Sequence, residues 1–180
     1  DLAQKHAEHQ NIPTKTIQAS FEELPSYLGS PTTTRFISLG LTFSNYDPEI
    51  ILPLLQKIAG VNGFVFINTH IRNRVDMAAL QHIYELDVSN IGDEKLRLIG
   101  LDSTQDVSKI ITDDGIRAWC TVLKPNAALE EIGIAKNDRL LIFQSLRYTK
   151  ESLETALKTH CGSYNLFDTG SPFIATLIRT

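Results

Sequence analysis

Apolar residues recur along this chain with two periods, and the places where one period gives way to the other outline an alternating α/β order. Arg35 to Leu39 is a short apolar run ended by Gly40 and a polar loop. Asp47-Pro48-Glu49 then supplies an N-cap, a first-turn proline and an acid at the positive end of a helix dipole. From Asp47 to Ala59 the positions Ile50, Ile51, Leu54, Leu55 and Ile58 fall on one helical stripe, and Gly60 closes the segment. Phe64 to Asn68 is almost continuously apolar, the pattern of an interior parallel strand covered on both faces. Strand, helix and strand within about 35 residues predict a βαβ unit with a right-handed crossover. Such sheets bind their ligands beyond the carboxyl ends of the strands, so the stretch from Gly40 to Glu49 is the expected crevice.

The flanking segments carry weaker patterns. Asp1 to Gln10 has the form of the closing turns of a helix, Thr14 to Ala19 alternates as a strand, and Phe21 to Pro25 is a turn or short helix closed by proline. A helical pattern runs from Asp76 to about Leu98 through Met77, Leu80, Ile83, Tyr84 and Leu96, with a break near Asn90-Ile91-Gly92. Lys109 to Thr112 and Ile116 to Leu123 flank Asp113-Asp114-Gly115, which predicts an antiparallel hairpin. Arg139 to Ser145 is a further strand, and Thr149 caps a helix whose Leu153, Ala156 and Leu157 face inward before Gly162. Tyr164 to Phe167 and Phe173 to Ile178 are the closing strands. The order is a parallel half followed by an antiparallel end.

Composition narrows the class. With 180 residues, 42% of them hydrophobic, the chain suits one domain with one sizeable core. A net charge of -4 and scattered Lys and Arg exclude a nonspecific nucleic-acid binder, because neutralising phosphates takes a concentrated basic surface. No apolar run reaches the roughly 20 residues that span a bilayer, and no secretory leader opens the chain, so the expectation is a cytoplasmic protein without membrane attachment. Cys120 and Cys161 have neither CxxC spacing nor a histidine at metal spacing and are expected as buried free thiols. His6-x-x-His9 lacks a third ligand, so no metal is expected.

Leu39-Gly40-Leu41-Thr42-Phe43-Ser44-Asn45-Tyr46-Asp47-Pro48, Leu80-Gln81-His82-Ile83-Tyr84, Ser145-Leu146-Arg147-Tyr148-Thr149 and the closing Phe173 to Arg179 occur in this order. In them the chain resembles class I S-adenosylmethionine-dependent methyltransferases, most closely the histidine-specific type of the ergothioneine pathway. The likeness covers most of the chain after about Lys15. It implies an α/β fold: a partial Rossmann-like sheet holding strands three to seven of the family order 3-2-1-4-5-7-6, with an antiparallel C-terminal end. The family's first strand ends in a Gly-x-Gly loop that holds the methionine part of the cofactor, and this chain has none. The resemblance therefore implies that the first two strands, roughly half of a full-length enzyme, are absent, and that these residues alone bind little or no cofactor. Losing them would bare the outer edge of Arg35 to Leu39. That edge is expected to be covered by Thr14 to Ala19, by a second copy or by the absent segment, with a homodimer preferred.

The resemblance also assigns residues. Ser20-Phe21 stands where the family has Asp-Phe at the adenine, and Gly40 lets cofactor approach the strand end; a turn serine, a core phenylalanine and a strand-ending glycine are the structural alternatives. Asn45 and Tyr84 match contacts to the substrate's amino acid group, against loop capping and core packing. Ser145 matches a substrate-contact serine, whereas Phe143 stands where an acid would hold an imidazole, so histidine itself is not the expected acceptor. Tyr46 and Tyr148 are expected to border the same crevice as flanks of a methyl acceptor, with plain packing as the structural alternative. No catalytic residue is required, since aligning nucleophile, methyl and sulfur supplies most of the assistance; His70 is the one histidine expected near the crevice. Two functions follow. One is the C-terminal part of an S-adenosylmethionine-dependent methyltransferase acting on a small amino acid or amine. The other is a noncatalytic α/β interaction module derived from that fold.

Overall fold

The computed structural model describes residue 13 and residues 15–29, 34–80, 82–83, 95–101 and 115–180, together with the backbone of 106–112. The expected opening helix with His6 and His9, Thr14, Tyr84, the break at Asn90-Ile91-Gly92 and the hairpin aspartates Asp113 and Asp114 lie outside the described residues.

The predicted βαβ unit forms. Strand β1 (Phe36–Leu39) leads through a 3-10 turn (Leu41–Asn45) into a helix (Pro48–Ala59) and then β2 (Phe64–His70), and the two strands pair in parallel from Phe36↔Phe64 to Leu39↔Ile67. Counting the short helix Leu24–Leu28 as α1, the crossover helix is α2. Asp47 occupies its N-cap with extended backbone but without a side-chain cap bond, and Gly60 ends it at φ 73°, a conformation open to glycine.

Three elements complete the main sheet. Helix α4 (Lys150–His160) is preceded in the chain by the short α3 (Ala127–Glu131) and followed by β6 (Ser163–Asp168) and β7 (Phe173–Arg179). The sheet order is β1-β2-β7-β6, with β7 antiparallel to both neighbours. Thr149 caps α4 as expected, its hydroxyl accepting from the Ser152 amide at 3.1 Å. The predicted hairpin also forms: β3 (Asp106–Thr112) and β4 (Gly115–Thr121) pair antiparallel, and β5 (Arg139–Leu146) joins β4 in a separate three-stranded sheet. The protein is therefore mixed α/β, with a mixed four-stranded sheet and an antiparallel three-stranded one. Each has its own buried cluster, one built on Phe43, Ile51, Leu55, Ile67, Leu153 and Ile174, the other on Leu96, Ala118, Cys120 and Leu129. Neither cysteine is in a disulfide and both are buried, and burial pushes the Cys161 thiol up to about 11. None of the described helices is long and apolar enough to cross a membrane.

Three expectations need correction. Residues 15–19 form no strand, so the third strand of the expected sheet is not made and β2 is the one described ladder partner of β1. Alternation alone does not make a strand, because extended backbone needs a neighbour to satisfy its amides and carbonyls. Strand β2 is not covered on both faces. Val65, Ile67 and Thr69 are buried beneath α2 and α4, while Phe64, Phe66, Asn68 and His70 are only half-buried. The same open face carries Phe36, Phe167 and Phe173, which are 63%, 53% and 38% exposed. Finally, the stripe of α2 is turned toward Leu52 and Ala59: Ile51, Leu52, Leu55, Ile58 and Ala59 are buried, Leu54 is half-buried and Ile50 is exposed. A helix wedged between a sheet and α4 buries a wider sector than a stripe drawn for one contact.

A polar clamp closes the end of β6. The Asp168 carboxylate takes both Arg74 nitrogens at 2.6 and 3.0 Å, Lys150 at 3.0 Å and the Gly170 amide at 3.0 Å. The bond to Arg74, then those to Gly170 and Lys150, hold its pKa well below the usual carboxylate range. A carboxylate whose folded-state pKa is depressed stabilises fully above its unfolded value of about 3.9, and that contribution disappears as the pH falls further. Asp168→Asn is expected to lower the melting temperature at pH near 7, by an amount that shrinks steadily as the pH is taken below about 3.9, read by circular dichroism melts across that range. A second expectation concerns Gly115, at φ 152°, where an added Cβ would lie within 3 Å of the Leu146 backbone. Gly115→Ala should cost about 1–3 kcal/mol in a denaturant titration, because backbone cannot yield as a side-chain tip does.

Candidate functional site

The carboxyl ends of β1 and β2 meet the last residues of β5, and the crevice lies between them. The chain leaves β1 at Gly40 and turns sharply through Leu41–Asn45, burying Phe43 and Ser44. The Ser44 hydroxyl lies 3.0 Å from that of Thr69 on β2, and the Phe43 ring rests 5.8 Å from that of Tyr148. From the opposite wall the Tyr148 hydroxyl donates to the Tyr46 carbonyl at 3.2 Å, and Gln144 Nε2 donates to the Asn45 carbonyl at 3.1 Å. With its backbone fixed in this way, the turn presents Leu41, Thr42 and Asn45 outward.

Two cavities open on this turn. One, about 310 Å³, is lined by Leu41, Thr42 and Asn45 from the turn, His70 and Leu80, and Phe143, Ser145 and Arg147 from the end of β5. The other, about 460 Å³, is lined by Asn45, Tyr46, Lys95 and the run Leu141 to Gln144. Asn45 and Phe143 belong to both. Burial, and then the positive charge of Arg147, push the His70 imidazole below its ordinary value, so it is neutral at pH 7. Its ring packs 4.3 Å from Phe173, and its buried Nδ1 has no hydrogen-bond partner among the described residues. The Arg147 guanidinium is 3% exposed and donates from Nη1 to Ser145 Oγ and to the Leu146 carbonyl, each at 2.7 Å.

Of the residues singled out in the sequence, Asn45, Tyr46 and Ser145 come together here, with Tyr148 behind them. Tyr84 lies outside the described residues. Gly40 is exposed at the end of β1 and lines neither cavity; a Cβ there would meet nothing within 4 Å. Ser20 forms a capping box with Glu23: its hydroxyl accepts from the Glu23 amide at 3.3 Å while the Glu23 carboxylate accepts from the Ser20 amide at 3.0 Å. Phe21 meets the Tyr46 ring edge-on at 5.5 Å, which ties the first described segment to the crevice.

Three wall residues were not singled out: Arg147, Lys95 and Gln144. Arg147 had a local signal, a lone cation between the apolar Leu146 and Tyr148 at a strand end. Lys95 had none. Its Nζ reaches the Ile142 carbonyl at 2.8 Å and stands 5.9 Å over the Phe143 ring, contacts set by tertiary packing alone. No protein-family model and no curated protein matches the chain.

Proposed function

We propose that this chain is the acceptor-side part of an S-adenosylmethionine-dependent methyltransferase acting on a small amino acid or amine. The observation that carries the reading is the sheet order β1-β2-β7-β6, with β7 inserted antiparallel, which is the 4-5-7-6 order the resemblance implies. Asn45 and Ser145, named from the same resemblance, line one crevice at the carboxyl ends of the parallel pair. The cofactor fits these residues only in part. Gly40 leaves open space at the end of β1, but no Gly-x-Gly loop is present to hold the methionine moiety, so no step of the transfer is assigned to residues of this chain. Their work in this reading is to bind and orient the acceptor, which is where most of the acceleration of such a transfer arises.

Calorimetry and gene sequence test the reading together. A strand ending in Gly-x-Gly is expected to be encoded upstream of Asp1, and a chain extended through it is expected to bind S-adenosylmethionine while these 180 residues alone do not. A start codon directly before Asp1, or micromolar binding by the 180 residues alone, would overturn it.

One observation favours the noncatalytic module instead: the open sheet face, with Phe36, Phe167 and Phe173 exposed across it, together with the outer edge of β1. In that reading the face and edge are the partner surface, and a second copy is the preferred occupant. Sedimentation should then show a concentration-dependent dimer that Phe36→Asp abolishes; a monomer at all concentrations removes the homodimer.

A further inference from the structure

His70 is the last residue of β2 and lines the smaller cavity together with Thr42 and Asn45. Its ring packs against Phe173 with centroids 4.3 Å apart and planes inclined by 30°, a contact that sets its orientation. Of its two nitrogens, Nδ1 is buried and has no hydrogen-bond partner among the described residues. Nε2 is not enclosed in this way, so it is the nitrogen left to the cavity that the ring lines. Burial, and then the charge of Arg147, push the imidazole below its ordinary pKa, so at neutral pH the ring has a single proton to place.

The two neutral tautomers differ in what they bury. With the proton on Nδ1, a donor would be enclosed with nothing to receive it; with the proton on Nε2, the enclosed atom is a bare lone pair. Folded proteins tolerate an under-used acceptor more readily than an orphaned donor. We propose that His70 is a fixed hydrogen-bond donor of the smaller cavity: its ring carries its one proton on Nε2 and directs it to an acceptor atom, such as a carbonyl oxygen, of a small ligand. The same ring is not a general base, because a second proton would sit on the enclosed Nδ1 beside a positive charge. The donor role holds for any occupant of the cavity. Only the next step rests on the methyltransferase reading: there the ligand is the methyl acceptor, and His70 is a positioning residue that takes no proton from it.

Long-range proton–nitrogen correlation NMR of the isotope-labelled full chain tests the donor role, with His70→Gln assigning the signals of this ring. At neutral pH a protonated Nε2 and a bare Nδ1 are expected; a proton on Nδ1, or on both nitrogens, would overturn the proposal. Benzamide, which offers a carbonyl on an apolar body, should shift the Nε2 resonance more than that of Nδ1, and toluene should leave both in place. Calorimetry supplies the second readout. His70→Phe keeps an aromatic ring against Phe173 but has no donor, and it should weaken benzamide binding by about threefold to tenfold, whereas His70→Gln retains a donor and should weaken it less. An unmoved Nε2 at millimolar benzamide, or binding by His70→Phe as tight as that of the wild type, would equally overturn it. Where a variant fails to fold, the wild-type spectrum decides. Failure of the extended chain to bind S-adenosylmethionine would remove methyl transfer and leave the ring's tautomer and its benzamide contact standing, while the wrong tautomer would remove the donor and leave the transfer reading untouched.

Discussion

Tyr148 is the residue on which the arrangement of the two sheets depends. It pairs in parallel with Ile71 beyond the end of β2, its carbonyl accepts from the Arg72 amide at 2.9 Å, its ring lies against Phe43 and its hydroxyl holds the Tyr46 carbonyl. One side chain and one peptide thus link β5, β2 and the 3-10 turn after β1. The side chain is 7% exposed, so these bonds form in a largely dry setting where an unpaired polar group costs more than in water. Everything that lines the crevice hangs from that seam: Asn45 and Tyr46 on one side, Phe143 to Arg147 on the other. A backbone bond fixes the β5 wall to the end of β2, and the side chains of Tyr148 and Gln144 hold the turn wall to it, so the spacing between the walls rests on both.

The electrostatic character of the crevice follows from the same seam. Arg147 directly precedes Tyr148, so docking the tyrosine carries the guanidinium inward with it. Ser145, two residues earlier on the same face of the chain, receives one of its hydrogens. The cation in turn helps keep His70 uncharged, which spares the site a second buried charge. Phe143, where the resemblance would place an acid, is part of this logic as well. An aromatic ring between Arg147 and Lys95 separates two positive charges and offers its face to one of them.

The parts of this structure legible in the sequence are those whose causes are local. Pro48 after Asp47, Thr149 three residues before Ser152, and the Asp-Gly turn ahead of Ile116 each act within a few residues, and the elements they predict form where expected. What was misread depends on distant neighbours. Phe64 to Asn68 has the composition of a strand buried on both sides, but α2 and α4 pack on one face only. Thr14 to Ala19 has the alternation of a strand, but residues 15–19 pair with none of the described strands, β1 included. Within the site, Asn45 and Ser145 were found because they sit in runs with a recognisable order. Lys95 was invisible because nothing near it in sequence announces that it ends over Phe143.

The position of β7 has a consequence for how the molecule is made. It is the last of the seven described strands in chain order, yet it lies inside the sheet, pairing with β2 on one side and β6 on the other. Until it emerges, β2 lacks its second neighbour and β6 has none among the described strands, so the nascent polypeptide holds the apolar edge of a half-built sheet. Long-range pairing of this kind slows folding and exposes the growing chain to aggregation. Closure of the main sheet thus waits for β7 to slide between two partners that precede it in the chain.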